Sequence, residues 1–228
     1  FISSCYILIM RGSLRFLLTF SLLLVSAYPA AAKSKAAGEK ALREAFLKDH
    51  PAPPATSNGQ KPIILDQGHG GSDLGAITKG RQEKDLCLAI ARKVKEKLAS
   101  HPTKMTRDAD VFIPLDERVG GSLDWGGAAF VSLHINQVRS KNLQGITVYA
   151  GGRSNYRHTG RPSRRRKPTP LPPPPREQAL ASASFAGYVA KSLRDNGFRV
   201  DPPARAEYYV LKNPSIPSIL IEMGYLSN

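Results

Sequence analysis

From Lys61 onward, apolar runs of strand length alternate with stretches of helical periodicity. Ile63-Ile64-Leu65 reads as a short buried strand, Lys104 to Arg107 as another, and Ala128 to Ile135 ("AAFVSLHI") as a central strand. Gly145 to Ala150, Tyr208 to Leu211 and Ser218 to Met223 ("SILIEM") complete the strand set. Between them, Glu83 to Leu98 brings Leu86, Ile90, Val94 and Leu98 close to one helical face, with charges on the other, and His101-Pro102 closes it. Gln178 to Asn196 predicts a second helix, with Gly197 just past its C-terminus. Strands alternating with helices predict an α/β domain. No internal repeat is visible.

Two segments fall outside this alternation. At the N-terminus, Met10 to Arg15 is a short basic stretch, Phe16 to Ala27 is apolar, and Ala30-Ala31-Ala32 supplies small residues of a cleavage site. Residues 1–32 therefore read as a secretory signal peptide cleaved after Ala32, since the apolar core is short for a membrane span of ~20 residues. The chain opens on Phe1, and residues 1–9 are expected to be an upstream extension or a fragment edge. Residues 33–60 read as a linker, with room for a short helix from Ala36 to Lys48 before Pro51, Pro53, Pro54 and Ser57-Asn58-Gly59. The second exception is the Pro/Arg-rich stretch 153–177, containing "RPSRRRKPTPLPPPPR". Its prolines remove backbone donors and fix φ, so it is expected to be a solvated, polyproline-like surface loop without catalytic residues.

Composition changes the picture modestly. The chain has 228 residues, 41% hydrophobic and 22% charged, within the globular range. The formal net charge is +15, which suits acidic partners such as nucleic acid, anionic lipid or an acidic wall polymer. Nucleic acid is not expected, because no aromatic-interleaved basic patch accompanies the charge. Cys5 and Cys87 form neither a disulfide framework nor a metal-binding spacing. Cys87 reads as a small core residue.

Three of the expected strands run into polar residues at their carboxyl ends. Ile63-Ile64-Leu65 leads to Asp66 and His69, Phe130-Val131-Ser132-Leu133 to His134 and Asn136, and Ile219-Leu220-Ile221 to Glu222. Ligand sites of open α/β sheets lie beyond the carboxyl ends of strands. If these strands are parallel neighbours, two imidazoles and a carboxylate meet on one rim, which are ligand types that zinc prefers. Glu83 lies three residues before Leu86 and seven before Ile90, so helical spacing turns it toward the core, where a carboxylate needs a partner. Each residue alone has a plainer role. His69 could be an ordinary loop residue, His134 a satisfied core histidine, Glu83 a capping carboxylate with Gly80 at the N-cap, and Glu222 an arginine's partner. Taken together, a metal site is the better reading.

The segments "IILDQGHGGSDLGAI" (63–77), "RQEKDLCLAIARKVKEKL" (81–98), "MTRDADVFIPLDERV" (105–119), "FVSLHIN" (130–136) and "PSILIEMGYLSN" (217–228) resemble, in order and spacing, the zinc-dependent N-acetylmuramoyl-L-alanine amidases of the amidase 3 family, bacterial cell-wall hydrolases. The resemblance covers residues 61–228 apart from the insert. It implies a single catalytic domain built on a twisted, mostly parallel sheet of about six strands flanked by helices. It further implies Zn2+ held by His69, Glu83 and His134, with Glu222 as the catalytic carboxylate. Three protein ligands leave a position open for water, as in catalytic zinc sites. The implied reaction is hydrolysis of the amide between N-acetylmuramic acid and L-alanine in peptidoglycan, for wall remodelling or cell separation. Asp66 and Asn136 are candidate substrate or supporting contacts. Export to the periplasm, or to the extracellular cell wall, fits that substrate.

Departures from the family pattern carry their own expectations. Gln67 replaces the usual proline and should loosen the turn. Gly120-Gly121 and Gly126-Gly127 weaken a segment that is helical in the family. Regulated members carry a blocking helix that an activator protein displaces. A Pro/Arg-rich insert stands near that place here, which argues against helix-type autoinhibition and leaves an activator partner open. The family domain continues past Leu226-Ser227-Asn228 into a final helix, so a truncated C-terminus is expected. A monomer is expected. The rival readings are an exported zinc peptidase or carboxypeptidase acting on stem peptides, and an inactive wall-binding relative.

Overall fold

The computed structural model describes residues 59–138, 142–152 and 171–227. The expected signal peptide, nearly all of the 33–60 linker and most of the 153–177 insert lie outside the described residues.

Strand β1 (Ile63–Gln67) is buried along its whole length and carries the chain two residues beyond the apolar run. A tight hairpin follows, β2 (Ile77–Thr78) against β3 (Arg81–Gln82). Its turn residues Lys79 and Gly80 have φ of 49° and 75°, the doubly left-handed form suited to two-residue hairpin turns. Helix α1 (Glu83–Lys97) starts directly after the hairpin and buries Glu83, Cys87 and Ala91 at four-residue spacing. Leu86 and Ile90 flank that stripe. Cys87 is a free, buried core residue, as its surroundings suggested. Strand β4 (Thr103–Met105) is shorter than expected, and Thr106 and Arg107 have left it to bond with β1.

Helix α2 (Leu115–Asp124) forms despite Gly120-Gly121 and ends before Gly126. Its Val119 and Leu123 pack with Ile64, Phe130 and Leu220. This tertiary burial outweighs the weak intrinsic propensity of the two glycines, about 1 kcal/mol each. The chain continues through β5 (Ala129–Asn136), β6 (Thr147–Gly151), α3 (Arg176–Asp195), β7 (Ala204–Ala206) and β8 (Ser218–Tyr225). Where Tyr208 to Leu211 suggested a strand, a 3-10 turn spans Tyr209–Lys212. Val210 and Leu211 drop into the core beneath α2 instead of joining the sheet.

The sheet has six strands in the order β4-β1-β5-β8-β6-β7. The pairings β1–β4, β1–β5, β5–β8 and β6–β7 are parallel, and β6 runs antiparallel to β8. The sheet is therefore mostly parallel and flanked by helices, as expected. The face bearing Ile64, Phe130 and Leu220 packs on α2 and the 3-10 turn. On the opposite face, Val148, Ala150 and Ile219 meet Phe185, Ala186 and Ala190 of α3, while Ile135 meets Cys87 of α1. The central neighbours β1, β5 and β8 deliver their carboxyl ends to one edge, and α1 begins there.

Candidate metal centre

His69 stands two residues past β1, His134 near the end of β5, and Glu83 at the first position of α1. Glu83 is 4% exposed, and each of its oxygens is used twice. Oε1 accepts the Ile135 N–H at 3.0 Å and faces His134 Nδ1 at 2.9 Å. Oε2 accepts the Ala76 N–H at 2.8 Å and faces His69 Nε2 at 3.0 Å. The two rings meet edge to face, with centroids 4.8 Å apart. Gln82 precedes the helix without a side-chain cap, so Glu83 does not close a capping box with Gly80. Its carboxylate is aimed at the two imidazoles.

The electrostatics follow from this packing. Burial alone would raise the Glu83 carboxyl, but His134 and His69 outweigh it and hold it well below the usual carboxylate range. Burial alone would lower His69, but Asp73 and Glu83 reverse that and raise it to about 9. Asp73 Oδ2 lies 3.2 Å from His69 Nδ1, on the side of the ring away from Glu83.

Glu222 pairs directly with His134 in the register of β5 and β8, which puts both side chains on the same sheet face. Its Oε2 is buried with no hydrogen-bond partner. Burial, reinforced by the Glu83 charge and opposed by the two histidines, raises its pKa to about 7. Two carboxylates on one rim are thus driven in opposite directions, the pattern of groups with different chemical tasks.

A metal ion fits the triad. One donor atom from each of His69, Glu83 and His134 lies within 4.8 Å of the others, and two imidazoles with a carboxylate form a zinc-type donor set. The backbone leaves room for them. A Cβ at Gly68 would overlap the His134 ring, with Nε2 at 2.6 Å, and a Cβ at Gly75 would stand 2.6 Å from both Glu83 Oε2 and His69 Cδ2. Glu222 lies outside the converging group.

Comparison with known proteins identifies the family of the chain. A family model described as N-acetylmuramoyl-L-alanine amidase matches residues 63–228. The chain belongs to the N-acetylmuramoyl-L-alanine amidase family. Among the amidase family's members, the "Probable cell wall amidase LytH" of Staphylococcus aureus is 32% identical over 174 residues, covering 74% of this chain and 49% of that protein. The chain spans about half the length of the curated relatives it matches. The catalytic domain of the amidase CwlV from Bacillus (Paenibacillus) polymyxa var. colistinus superposes with a TM-score of 0.54 at 26% identity, over 74% of this chain and 83% of that one. The amidase AmiC2 of Nostoc punctiforme gives 0.52 at 31% identity, over 72% and 78%.

The turn after β1 narrows one expectation and corrects another. Asp66 is 1% exposed, which favours the supporting contact of the two roles expected for it. It accepts from Arg118 at 2.9 Å, Ser132 at 2.6 Å and Thr106 at 2.8 Å, so its place is beneath the site. Gln67 does not loosen the turn. It is 0% exposed, donates to Leu65 O at 3.0 Å and accepts the Arg107 N–H at 3.1 Å, tying β1 to the chain leaving β4. Asn136 is partly exposed at the end of β5, and its carbonyl accepts the Leu226 N–H at 2.8 Å. Sequence reading missed Asp73, Lys84, Arg107, Asp110 and Arg118. Three of these lie in "MTRDADVFIPLDERV", whose register marked the segment without revealing which charges it buries.

Proposed function

We propose that this chain is a zinc-dependent hydrolase of the amide between N-acetylmuramic acid and L-alanine in peptidoglycan, acting outside the cytoplasmic membrane in wall remodelling or cell separation. The observation that carries the reading is Glu222, a half-buried carboxylate whose Oε2 is buried without a hydrogen-bond partner, beside a three-donor cluster. His69, Glu83 and His134 would hold the metal. Bound there, zinc supplies Lewis acidity and lowers the pKa of water toward neutrality. Glu222, with a pKa raised to about 7, can change protonation state near neutral pH. It takes the proton of the attacking water and returns it to the departing amine nitrogen as the C–N bond breaks. The two imidazoles keep Glu83 ionised against the cost of burial, and its two backbone hydrogen bonds hold it in place, the state a ligand needs. Asn136, on the same rim, is proposed as a substrate contact.

Export and peptidoglycan as the polymer partner belong to the same proposal. Among the described residues, no helix is long and apolar enough to cross a membrane. The test is digestion of purified peptidoglycan with and without chelator, followed by mass spectrometry. Chelator-sensitive release of intact stem peptides with a free N-terminal alanine is expected. Shortened peptides would instead identify a peptidase acting on the stem, and no release at all would overturn the enzymatic reading.

A further inference from the structure

Every main-chain carbonyl from Gln67 to Gly71 is held, and most of the holders are cations. Gln67 O accepts from Arg107 Nε at 3.1 Å and Arg118 Nη1 at 2.6 Å. Gly68 O accepts from Arg107 Nη2 at 2.9 Å, and His69 O from Arg118 Nη2 at 2.7 Å. Gly70 O takes the Asp73 N–H at 2.9 Å, and Gly71 O takes Lys84 Nζ at 3.0 Å. Arg107 and Arg118 are each only 3% exposed, so neither is an ordinary solvated surface charge. Arg118 is neutralised by Asp66 at 2.9 Å and Lys84 by Asp110 at 2.6 Å. Asp110 also accepts the Gly71 N–H at 2.8 Å.

The clamped segment has a conformation that needs holding. His69 has φ of 61°, in the left-handed region that side-chain-bearing residues seldom adopt. If His69 relaxed to negative φ, its ring would swing away from Glu83 Oε2. The carbonyl on the far side of that strained φ/ψ pair is the one Arg118 grips. A guanidinium suits the task, because its rigid fork serves several acceptors at once, whereas an ammonium is a compact point charge.

We infer that Arg118 and Arg107, assisted by Lys84, are positioning residues for His69: they lock its turn through the carbonyls and thereby set the affinity of the site for zinc. This rests on the zinc reading proposed above and adds the part of the chain that determines how tightly the triad holds the ion. Neither arginine is a ligand, and neither is assigned a contact with substrate. Both act through the backbone of the turn.

The test measures zinc affinity of the full chain by chelator competition, together with the visible absorption of the cobalt-substituted protein, for wild type and Arg118→Lys. The lysine keeps the charge beside Asp66 but loses the fork that spans the Gln67 and His69 carbonyls. A roughly 10- to 100-fold weaker affinity with an altered cobalt spectrum and an unchanged far-UV circular dichroism spectrum is expected. Mere structural support would lower the melting temperature of the metal-free protein and leave both metal readings alone. A folded Arg118→Lys with wild-type affinity and cobalt spectrum overturns the inference. Should that variant fail to fold, Lys84→Gln decides by the same readings: weaker affinity supports the clamp and unchanged affinity overturns it. Absence of zinc binding by the wild type is a separate result, which removes the zinc reading and the clamp with it.

Discussion

Glu222 stands directly opposite His134 in the parallel pairing of β5 and β8, yet Glu83 is the carboxylate that His134 bonds, at 2.9 Å. The two acids share one rim and have opposite surroundings. Glu83 is saturated by two backbone N–H groups and two imidazoles, whereas Glu222 keeps a buried oxygen without a partner. Glu222→Gln conserves volume and leaves the triad untouched. It should retain zinc, measured by metal analysis after dialysis, while turnover on peptidoglycan falls by about 100- to 10,000-fold, the usual worth of a general acid–base group. Loss of the metal in this variant would reverse the division between ligand and base.

Glu83→Gln is expected to behave in the opposite way. A ligand that binds the folded state alone stabilises it by RT ln(1 + [L]/Kd), about 4 kcal/mol at free zinc 1,000 times Kd. Wild type should gain that increment in denaturant titrations with zinc, and chelator should remove it. In Glu83→Gln the neutral amide replaces the charge that faces both histidines, so added zinc should leave the unfolding curve where it was. A zinc-dependent gain as large as in wild type would exclude Glu83 as a ligand.

Close approach of backbone to the triad predicts opposite signs for two glycine substitutions. A Cβ at Gly68 would overlap the His134 ring, whereas a Cβ at Gly187, within α3, meets nothing within 4 Å. Gly68→Ala should destabilise by roughly 1–3 kcal/mol, the range for overpacking, and weaken zinc binding because His134 must move. Gly187→Ala should stabilise by about 0.5–1 kcal/mol through helix propensity and a less flexible unfolded chain. Guanidinium unfolding midpoints of the two variants, one below wild type and one above, check the pair.

The convergence of β1, β5 and β8 was legible because each apolar run ends in residues that a plain strand has no use for. Glu83 was legible for a related reason, as an acid at helical spacing from Leu86 and Ile90, which flank the stripe that Cys87 and Ala91 bury. The support beneath them was not. The chain carries 33 lysines and arginines, and no local pattern separates the buried Arg107 and Arg118 from solvated ones. Their partners in β1 and the turn after it are 39 to 52 residues away, a separation that periodicity does not sample. Gln67 misleads for the same cause, since its stiffness comes from Arg107 rather than from its own backbone. The 3-10 turn at Tyr209–Lys212 and the three-residue β7 are too short for hydrophobic period to discriminate among conformations.

Asp66 and Arg118 supply the pH dependence of this support. Burial alone would raise the Asp66 carboxyl, but Arg118, Ser132 and Thr106 outweigh it and hold it below its ordinary value of 3.8. A folded-state value below the unfolded one means the native protein binds fewer protons, so this group stabilises the fold above the unfolded value. The contribution is lost as pH falls from about 3.8 through the depressed folded value. Asp66→Asn removes one partner of a buried ion pair and leaves Arg118 uncompensated, at a cost of about 3–5 kcal/mol near neutral pH. The gap between wild type and Asp66→Asn should therefore be constant from pH 7 down to about 5 and shrink below about 4, as Asp66 of the unfolded wild-type chain takes up a proton that the native state accepts only at its depressed value. Urea titrations of the metal-free proteins at stepped pH check this with zinc binding held out of the comparison. A gap that stays the same down to the lowest pH at which both variants fold would show that the Asp66 charge does not carry the stabilisation assigned to it.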